Sequence, residues 1–290
     1  MATITGDTKL FGLLSHGVKT TLSPAIHNHA ANLFRKDLVY LNFDITADKV
    51  ASFLDIFWHM GGQGLNVTMP HKNLVASLVE SEGLASVNTL SRTQTGWAGH
   101  STDGAGFLRA LERSNATIDD FEMAIVLGSG GAAQAVVSAI TLASNDRLLP
   151  VIVHRRSRSN DQRLHVNDQR VTAQMLTLRD ISAESFCDSM KQTQGQRRLV
   201  IQATSAPKTG NSLENMIPAL DYMSNDDLFV DLIYDTPSAL YFAAIARGLR
   251  CQDGLPMLIE QARLSQQIWW GKAASYDDLL LGIKNSGWRS

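Results

Sequence analysis

Residues 123–127 (MAIVL) are wholly apolar and run straight into Gly128-Ser129-Gly130-Gly131-Ala132-Ala133. A short apolar run bounded by glycine suits a strand buried on both faces, as in parallel sheets covered by helices. Residues 134–143 then have the spacing of a helix. Strand, G-x-G-x-x-A and helix in that order form a dinucleotide-binding signature. The glycines permit a tight turn and a close backbone approach to a pyrophosphate, whose charge meets the helix N-terminus. A glycine turn packed tightly for steric reasons is the alternative. Either way, the chain is placed in the α/β class.

The next strand of this unit is read at 150–153 (PVIV), followed by His154-Arg155-Arg156-Ser157-Arg158. A carboxylate at such a strand end would bond the ribose 2′-hydroxyl of NAD, whereas arginine accommodates the 2′-phosphate of NADP. No carboxylate is present among these mostly basic residues, so NADP is expected over NAD; a solvated basic turn is the competing explanation. Buried strands follow at 199–205, ending in Ala203-Thr204-Ser205, and at 228–232. Helices are expected at 238–247, 254–270 and 277–283, with Trp269 and Trp270 as packing residues. The polar stretch 160–196 is read as surface helices and loops with one short strand near 171–176.

The N-terminal third repeats the alternation of strand and helix. Strands are read at 9–14 and 38–45, and helices at 48–60 and 71–78. Ser23 before Pro24 marks a helix start, with serine as its cap. Its free N–H groups would also suit a carboxylate near Thr21 and Ser23. In GLNVTMPHK (64–72), Leu65 and Val67 alternate with Asn66 and Thr68, the period of a half-buried strand that Pro70 ends. Asn66, Thr68 and Lys72 then lie at a strand's C-terminal edge, where α/β folds bind ligands. A solvated lysine is the plainer account of Lys72 alone. A further strand is read at 83–90 with Asn88 near its end, and Asp103 reads either as a cap of the following helix or as a site residue. The spacing implies a mostly parallel sheet.

Composition narrows the function. The 290 residues are 44% hydrophobic and carry a net charge of −2, enough for a large core and no electrostatic case for nucleic acid or an anionic membrane. Two cysteines, Cys187 and Cys251, fit neither a disulfide framework nor a metal-ligand spacing. No basic, apolar leader or long apolar run stands out, so a cytoplasmic protein with no membrane span is expected. The expected partner is a small molecule, with the chain acting as a monomer or homodimer.

Several short motifs in order resemble the shikimate/quinate dehydrogenase family: Ser-Pro-x-x-His-Asn at 23–28, Asn-Val-Thr-x-Pro-x-Lys at 66–72, Val-Asn-Thr-Leu at 87–90, Thr-Asp-Gly at 102–104, the glycine loop at 128–133, Ala-Thr-Ser at 203–205, and Gly-x-x-Met-Leu with Gln-Ala at 254–262. The resemblance covers nearly the whole chain. It implies a two-domain α/β fold: a mostly parallel substrate domain (1–104 plus 254–290) and a Rossmann NADP domain (105–253), with C-terminal helices returning to the first. It implies hydride transfer between NADP(H) and shikimate/3-dehydroshikimate, with Lys72 as acid/base beside Asp103. Thr21 and Ser23 would hold the substrate carboxylate, and Asn66, Thr68, Asn88 and Gln261 would contact the substrate. The cofactor set would be Gly128, Ser129, Gly130, Gly131, Ala132, Ala133, His154, Arg155, Arg156, Arg158, Ala203, Thr204, Ser205, Gly254 and Met257.

Four positions depart from the family pattern. Thr21 stands for serine, Ser101 for the asparagine of Asn-Thr-Asp, Gln202 for the asparagine before Ala-Thr-Ser, and His-Arg-Arg for Asn-Arg-Thr. These suggest a divergent branch. Quinate, alone or with shikimate, is the alternative substrate. A non-catalytic NADP or shikimate sensor and a Rossmann reductase of unrelated substrate are the other readings.

Overall fold

A computed structural model describes residues 4–18, 20–144, 147, 149–156, 176–210 and 213–288. The chain divides into two compact units, Met1–Gly106 with Ile259–Ser290, and Phe107–Leu258.

The first unit is built on β1 (Lys9–Ser15), α1 (Ser23–Leu33), β2 (Leu38–Asp44), α2 (Val50–His59), β3 (Gly64–Val67), α3 (Lys72–Ala76), β4 (Thr89–Arg92) and β5 (Trp97–His100). Its sheet order is β2-β1-β3-β4-β5. β1 pairs in parallel with β2 and β3, whereas β4 is antiparallel to both β3 and β5. The strand expected at 83–90 is thereby corrected. Pairing starts at Thr89, so Asn88 precedes the strand, and β4 turns back through residues 93–96 into β5. Thr93 N–H donates to the Gly96 carbonyl in that turn (2.9 Å).

Strand alternation sorts the residues of β3. Leu65 and Val67 enter a core with Leu14, Leu54, Phe57 and Trp97. Gly64 and Asn66 face the other way. The Trp269 indole lies where a side chain on Gly64 would be, and its Nε1 donates to the Leu90 carbonyl (2.8 Å). Trp269 and Trp270 pack on Phe11 and His27, so both tryptophans are packing residues as expected. They belong to α8 (Leu255–Trp270), which with α9 (Tyr276–Asn285) supplies the C-terminal part of this unit.

The second unit continues α4 (Asp103–Arg113) into β6 (Met123–Leu127), α5 (Gly131–Ala143), β7 (Val151–Arg155), β8 (Leu176–Asp180), α6 (Ala183–Gln192), β9 (Arg198–Gln202), β10 (Leu228–Asp231), α7 (Ala239–Ala246) and the two-residue β11 (Cys251–Gln252). All described pairings are parallel, in the order β11-β10-β9-β6-β7-β8. The chain moves outward from β6 to β8, then crosses back and builds outward from β9. This is the doubly wound Rossmann order, with its switch point beside β6. β6 is buried on both faces: Ala124 and Val126 enter one apolar cluster, and Met123, Ile125 and Leu127 the other. α5 begins at Gly131, three residues before the expected start, because its N-terminus lies in the glycine loop itself. A 3₁₀ segment at Glu214–Tyr222 and the short β11 carry no sequence signal used above. The strand expected near 171–176 is described only from Leu176 onward; the rest lies outside the described residues.

Candidate active site

β3 leads through Thr68 to α3, whose first residue is Lys72. The approach is anchored on both sides. His71 is buried, with Nε2 2.7 Å from the Ile45 carbonyl, and the Lys72 carbonyl accepts from Val87 N–H (3.1 Å). Lys72 Nζ lies 2.5 Å from Asp103 Oδ2, with the two side chains 14% and 8% exposed. Only the tertiary fold joins these residues, which are 31 positions apart. Asp103 is the first residue of α4, and Gly106 N–H bonds the Thr102 carbonyl (2.9 Å). The expected cap role of Asp103 is therefore corrected, because its carboxylate is spent on tertiary partners. Asn88 Nδ2 donates to Asp103 Oδ1 (2.9 Å), so both carboxylate oxygens are held.

Asn88 knits the surroundings together. Its Nδ2 also donates to Thr102 Oγ1 (2.8 Å) and Gln261 Oε1 (3.1 Å), and its Oδ1 accepts from Thr102 N–H (2.8 Å). Gly106 lets α4 approach α8 at Gln261, where an added Cβ would meet the Gln261 Cβ at 2.8 Å. Asn66 is buried nearby on β3, and the Thr68 hydroxyl has no hydrogen-bond partner among the described residues. The structure thus gathers Lys72, Asp103, Asn88 and Gln261, with Asn66 joined to Asn88 through the Asn88 carbonyl (3.2 Å).

Thr21 and Ser23 lie at the start of α1. Leu22, not Ser23, occupies the cap position, and no side chain caps the helix. The expected cap role of Ser23 is corrected, because Pro24 draws it into the first turn. Its hydroxyl accepts from Thr21 Oγ1 (3.3 Å), and Thr21 Oγ1 accepts from Ser23 N–H (3.3 Å). Two hydroxyls thus stand beside the first turn, in which Ser23 N–H is taken by Thr21, Pro24 has no N–H and Ala25 N–H precedes the first intrahelical bond, from Ile26 N–H to the Leu22 carbonyl.

In the second unit, Gly128 has φ +115°, and a Cβ there would meet the Ala203 carbonyl carbon and oxygen and Thr204 N at 3.0 Å. The loop thus presses against the Ala203-Thr204-Ser205 turn, where only glycine sits without strain. Gly130 has open space around it and caps α5 without a side-chain bond. The first N–H groups of α5 have no intrahelical partner, as at any helix start. Buried Ala133 seats the helix against the sheet. This empty-sided glycine cradle fits a pyrophosphate.

Several residues named as cofactor contacts are also engaged within the fold. The His154 side chain is fully buried, with Nε2 3.0 Å from Ser189 Oγ and its ring 5.8 Å from Phe186; burial pulls its pKa down. Its contribution to the loop is its carbonyl, which accepts from Gly128 N–H (2.7 Å). Met257 is buried in the core of the unit, and Gly254 packs against the Leu232 carbonyl. Arg155 is half-buried, Arg156 is exposed, and Arg158 lies outside the described residues.

Two supporting residues had no role assigned from the sequence, although Gln202 was noted there as a departure from the family pattern. Gln202 Oε1 accepts from Thr204 N–H (2.6 Å) and its Nε2 donates to Asp231 Oδ1 (3.3 Å). Asp231 in turn accepts from the Ile233 and Ser238 N–H groups (2.9 and 2.8 Å), while burial raises its pKa. Together they brace the ends of β9 and β10. Their positions at the last residues of two buried strands were the available signal.

Residues 13–90 match the family described as "Shikimate dehydrogenase substrate binding domain". The chain is 31% identical to the shikimate dehydrogenase (NADP(+)) of Lactococcus lactis subsp. cremoris strain MG1363, over 97% of this chain and 98% of the relative. The structure of shikimate dehydrogenase from Aquifex aeolicus superposes with a TM-score of 0.80 at 26% identity, over 97% of this chain and 100% of that one. The shikimate 5-dehydrogenase of Thermus thermophilus, solved in complex with NADP(H) and shikimate, gives a TM-score of 0.74 at 25% identity, over 96% and 99%.

Proposed function

Because the chain belongs to the shikimate dehydrogenase family, we propose that it interconverts shikimate and 3-dehydroshikimate with NADP as hydride carrier. The observation that carries this reading is the Lys72–Asp103 pair, 2.5 Å apart and mostly buried, beside the polar cluster of Asn66, Asn88 and Gln261. Unit Met1–Gly106 with Ile259–Ser290 is assigned to the substrate and unit Phe107–Leu258 to NADP.

Bound NADP supplies the hydride chemistry, and the protein supplies position and the proton. The uncapped start of α1 with Thr21 and Ser23 holds the carboxylate. Thr21 carries a methyl that narrows this place relative to serine. Asn66, Thr68 and Gln261 orient the ring hydroxyls. Lys72 exchanges the proton of the reacting hydroxyl: its ammonium donates during reduction, and its amine accepts during oxidation. Asp103 aims Nζ through its contact with the lysine, leaving the single proton of the hydroxyl to Lys72. Positioned proton transfer of this kind is worth about 10²–10⁴-fold. The Gly128–Ala133 loop and the start of α5 take the pyrophosphate, and Arg155, Arg156 and Arg158 supply the positive charge that selects the 2′-phosphate.

No helix among the described residues is long and apolar enough to cross a membrane. We assign the protein to the cytoplasm, acting as monomer or homodimer. The test is a steady-state panel of shikimate or quinate with NADP or NAD. Shikimate with NADP is expected to give the highest kcat/KM. A ratio favouring NAD would overturn the role of the arginines, and absence of turnover on either acid would overturn the activity.

A further inference from the structure

Asn66 is 4% exposed, and its carboxamide is held on both ends. One end faces the Asn88 carbonyl at 3.2 Å. A carbonyl oxygen can only accept, so that end must be the NH₂ group. Nδ2 also lies 2.9 Å from Ser265 Oγ and 3.1 Å from Thr89 Oγ1. Oδ1 therefore faces Tyr40, whose hydroxyl donates to it at 2.9 Å. Ser265 is itself fixed one helical turn after Gln261, where its hydroxyl bonds the Gln261 carbonyl (3.1 Å). Tyr40 is fixed by its ring, which stacks on His27 at 4.5 Å.

An amide NH₂ has two protons and an amide oxygen two lone pairs. Asn88 and Ser265 or Thr89 use both protons, and Tyr40 uses one lone pair. Neither ring nitrogen of the neighbouring His27 makes a hydrogen bond, so one acceptor site on Oδ1 is left. We infer that Tyr40 and Ser265 are positioning residues that lock the Asn66 carboxamide so that it accepts a hydrogen bond from a substrate hydroxyl and cannot donate one. The inference rests on the assignment of Asn66 to the substrate site.

Tyr40→Phe keeps the ring stack and removes only the donor; Ser265→Ala combined with Thr89→Val removes both hydroxyl acceptors from the other end. Each is expected to raise KM for shikimate by about 5–30-fold, the range of one lost buried hydrogen bond. kcat should stay within about threefold, because the acid/base pair is untouched. KM for NADP should not move. In an Asn66→Ala background neither substitution should add a further effect. A lower melting temperature with unchanged KM for shikimate would show a purely structural role and overturn the inference. So would a KM shift that persists without Asn66. A readout that needs no substrate runs beside these: proton exchange of the Asn66 side-chain NH₂ by NMR. It should be slow in the unmodified protein and about tenfold faster or more in each variant. Unmodified protein that fails to oxidise shikimate would remove the proposed activity alone; the exchange rates would then decide the positioning role, and unchanged rates would reject it.

Discussion

Gly128 holds a backbone that an L side chain adopts only with strain, at φ +115° and within 3.0 Å of the next turn's main chain. Gly128→Ala should strain the loop by about 1–3 kcal/mol and open it away from Ala203. We expect KM for NADP to rise about tenfold or more, with shikimate binding by calorimetry unchanged. An unaltered KM for NADP would separate this loop from the cofactor. The need for glycine here was readable from the strand before it and the helix after it. The direction of the His154 side chain became legible only once the packing of its strand was known. Ile152 lies in the same cluster as Phe186, and two residues further along a strand is the same face. His154 therefore had to point toward α6, while Arg155 alternates to the other side. The Lys72–Asp103 contact was different: nothing local joins residues so far apart, and family resemblance alone suggested the pair.

Elements were legible where a period was strong and obscure where pairing was decided elsewhere. β6, with five apolar residues, is found where expected. β5, which reads Trp-Ala-Gly-His, has neither alternation nor β-branched residues and forms because β4 lies beside it. β9 shows how a buried strand can start on a charge. Arg198 is 1% exposed, yet its guanidinium bonds both Asp227 oxygens (3.1 and 2.7 Å) and the Met190 carbonyl (2.8 Å). The arginine ties α6, β9 and the approach to β10 together. Removing one partner leaves a buried charge alone, so Asp227→Ala should cost about 3–5 kcal/mol. Urea unfolding measures this; a loss under about 1 kcal/mol would show that the pair is solvated or replaceable.

The whole molecule should be acid-sensitive for reasons its composition does not reveal. His27 is fully buried against Tyr40 and Trp269, and neither ring nitrogen has a hydrogen-bond partner among the described residues. Burial pulls its pKa from 6.5 down to about 3. Between those values the unfolded chain takes up a proton that the folded chain refuses. The stabilising effect of the neutral ring is therefore complete above pH 6.5 and is lost as pH falls toward about 3, at about 1.4 kcal/mol per pH unit at most. Burial lowers His100 and His154 in the same direction. Asp231 works against them: its pKa is raised, so the folded form binds a proton first and gains relative stability as pH falls through that range. The melting temperature should drop as pH falls from about 7 to about 4.5, across the window in which His27 protonates only in the unfolded chain. His27→Phe should flatten that slope. An equally steep slope in the variant would place the acid sensitivity elsewhere. Here the sequence was nearly silent, since a histidine in a Ser-Pro-x-x-His run looks the same exposed or buried. The burial comes from Tyr40 and from Trp269 and Trp270 at the far end of the chain.

One reaction at one pair of side chains carries the proposed function. It is tested most directly by the initial rate of NADPH formation from shikimate, measured for the unmodified protein and for Lys72→Ala at saturating NADP. The expected result is ready turnover by the first and a loss of about 10²–10⁴-fold in kcat for the second, with KM for NADP unchanged. Near-normal turnover in Lys72→Ala would contradict it.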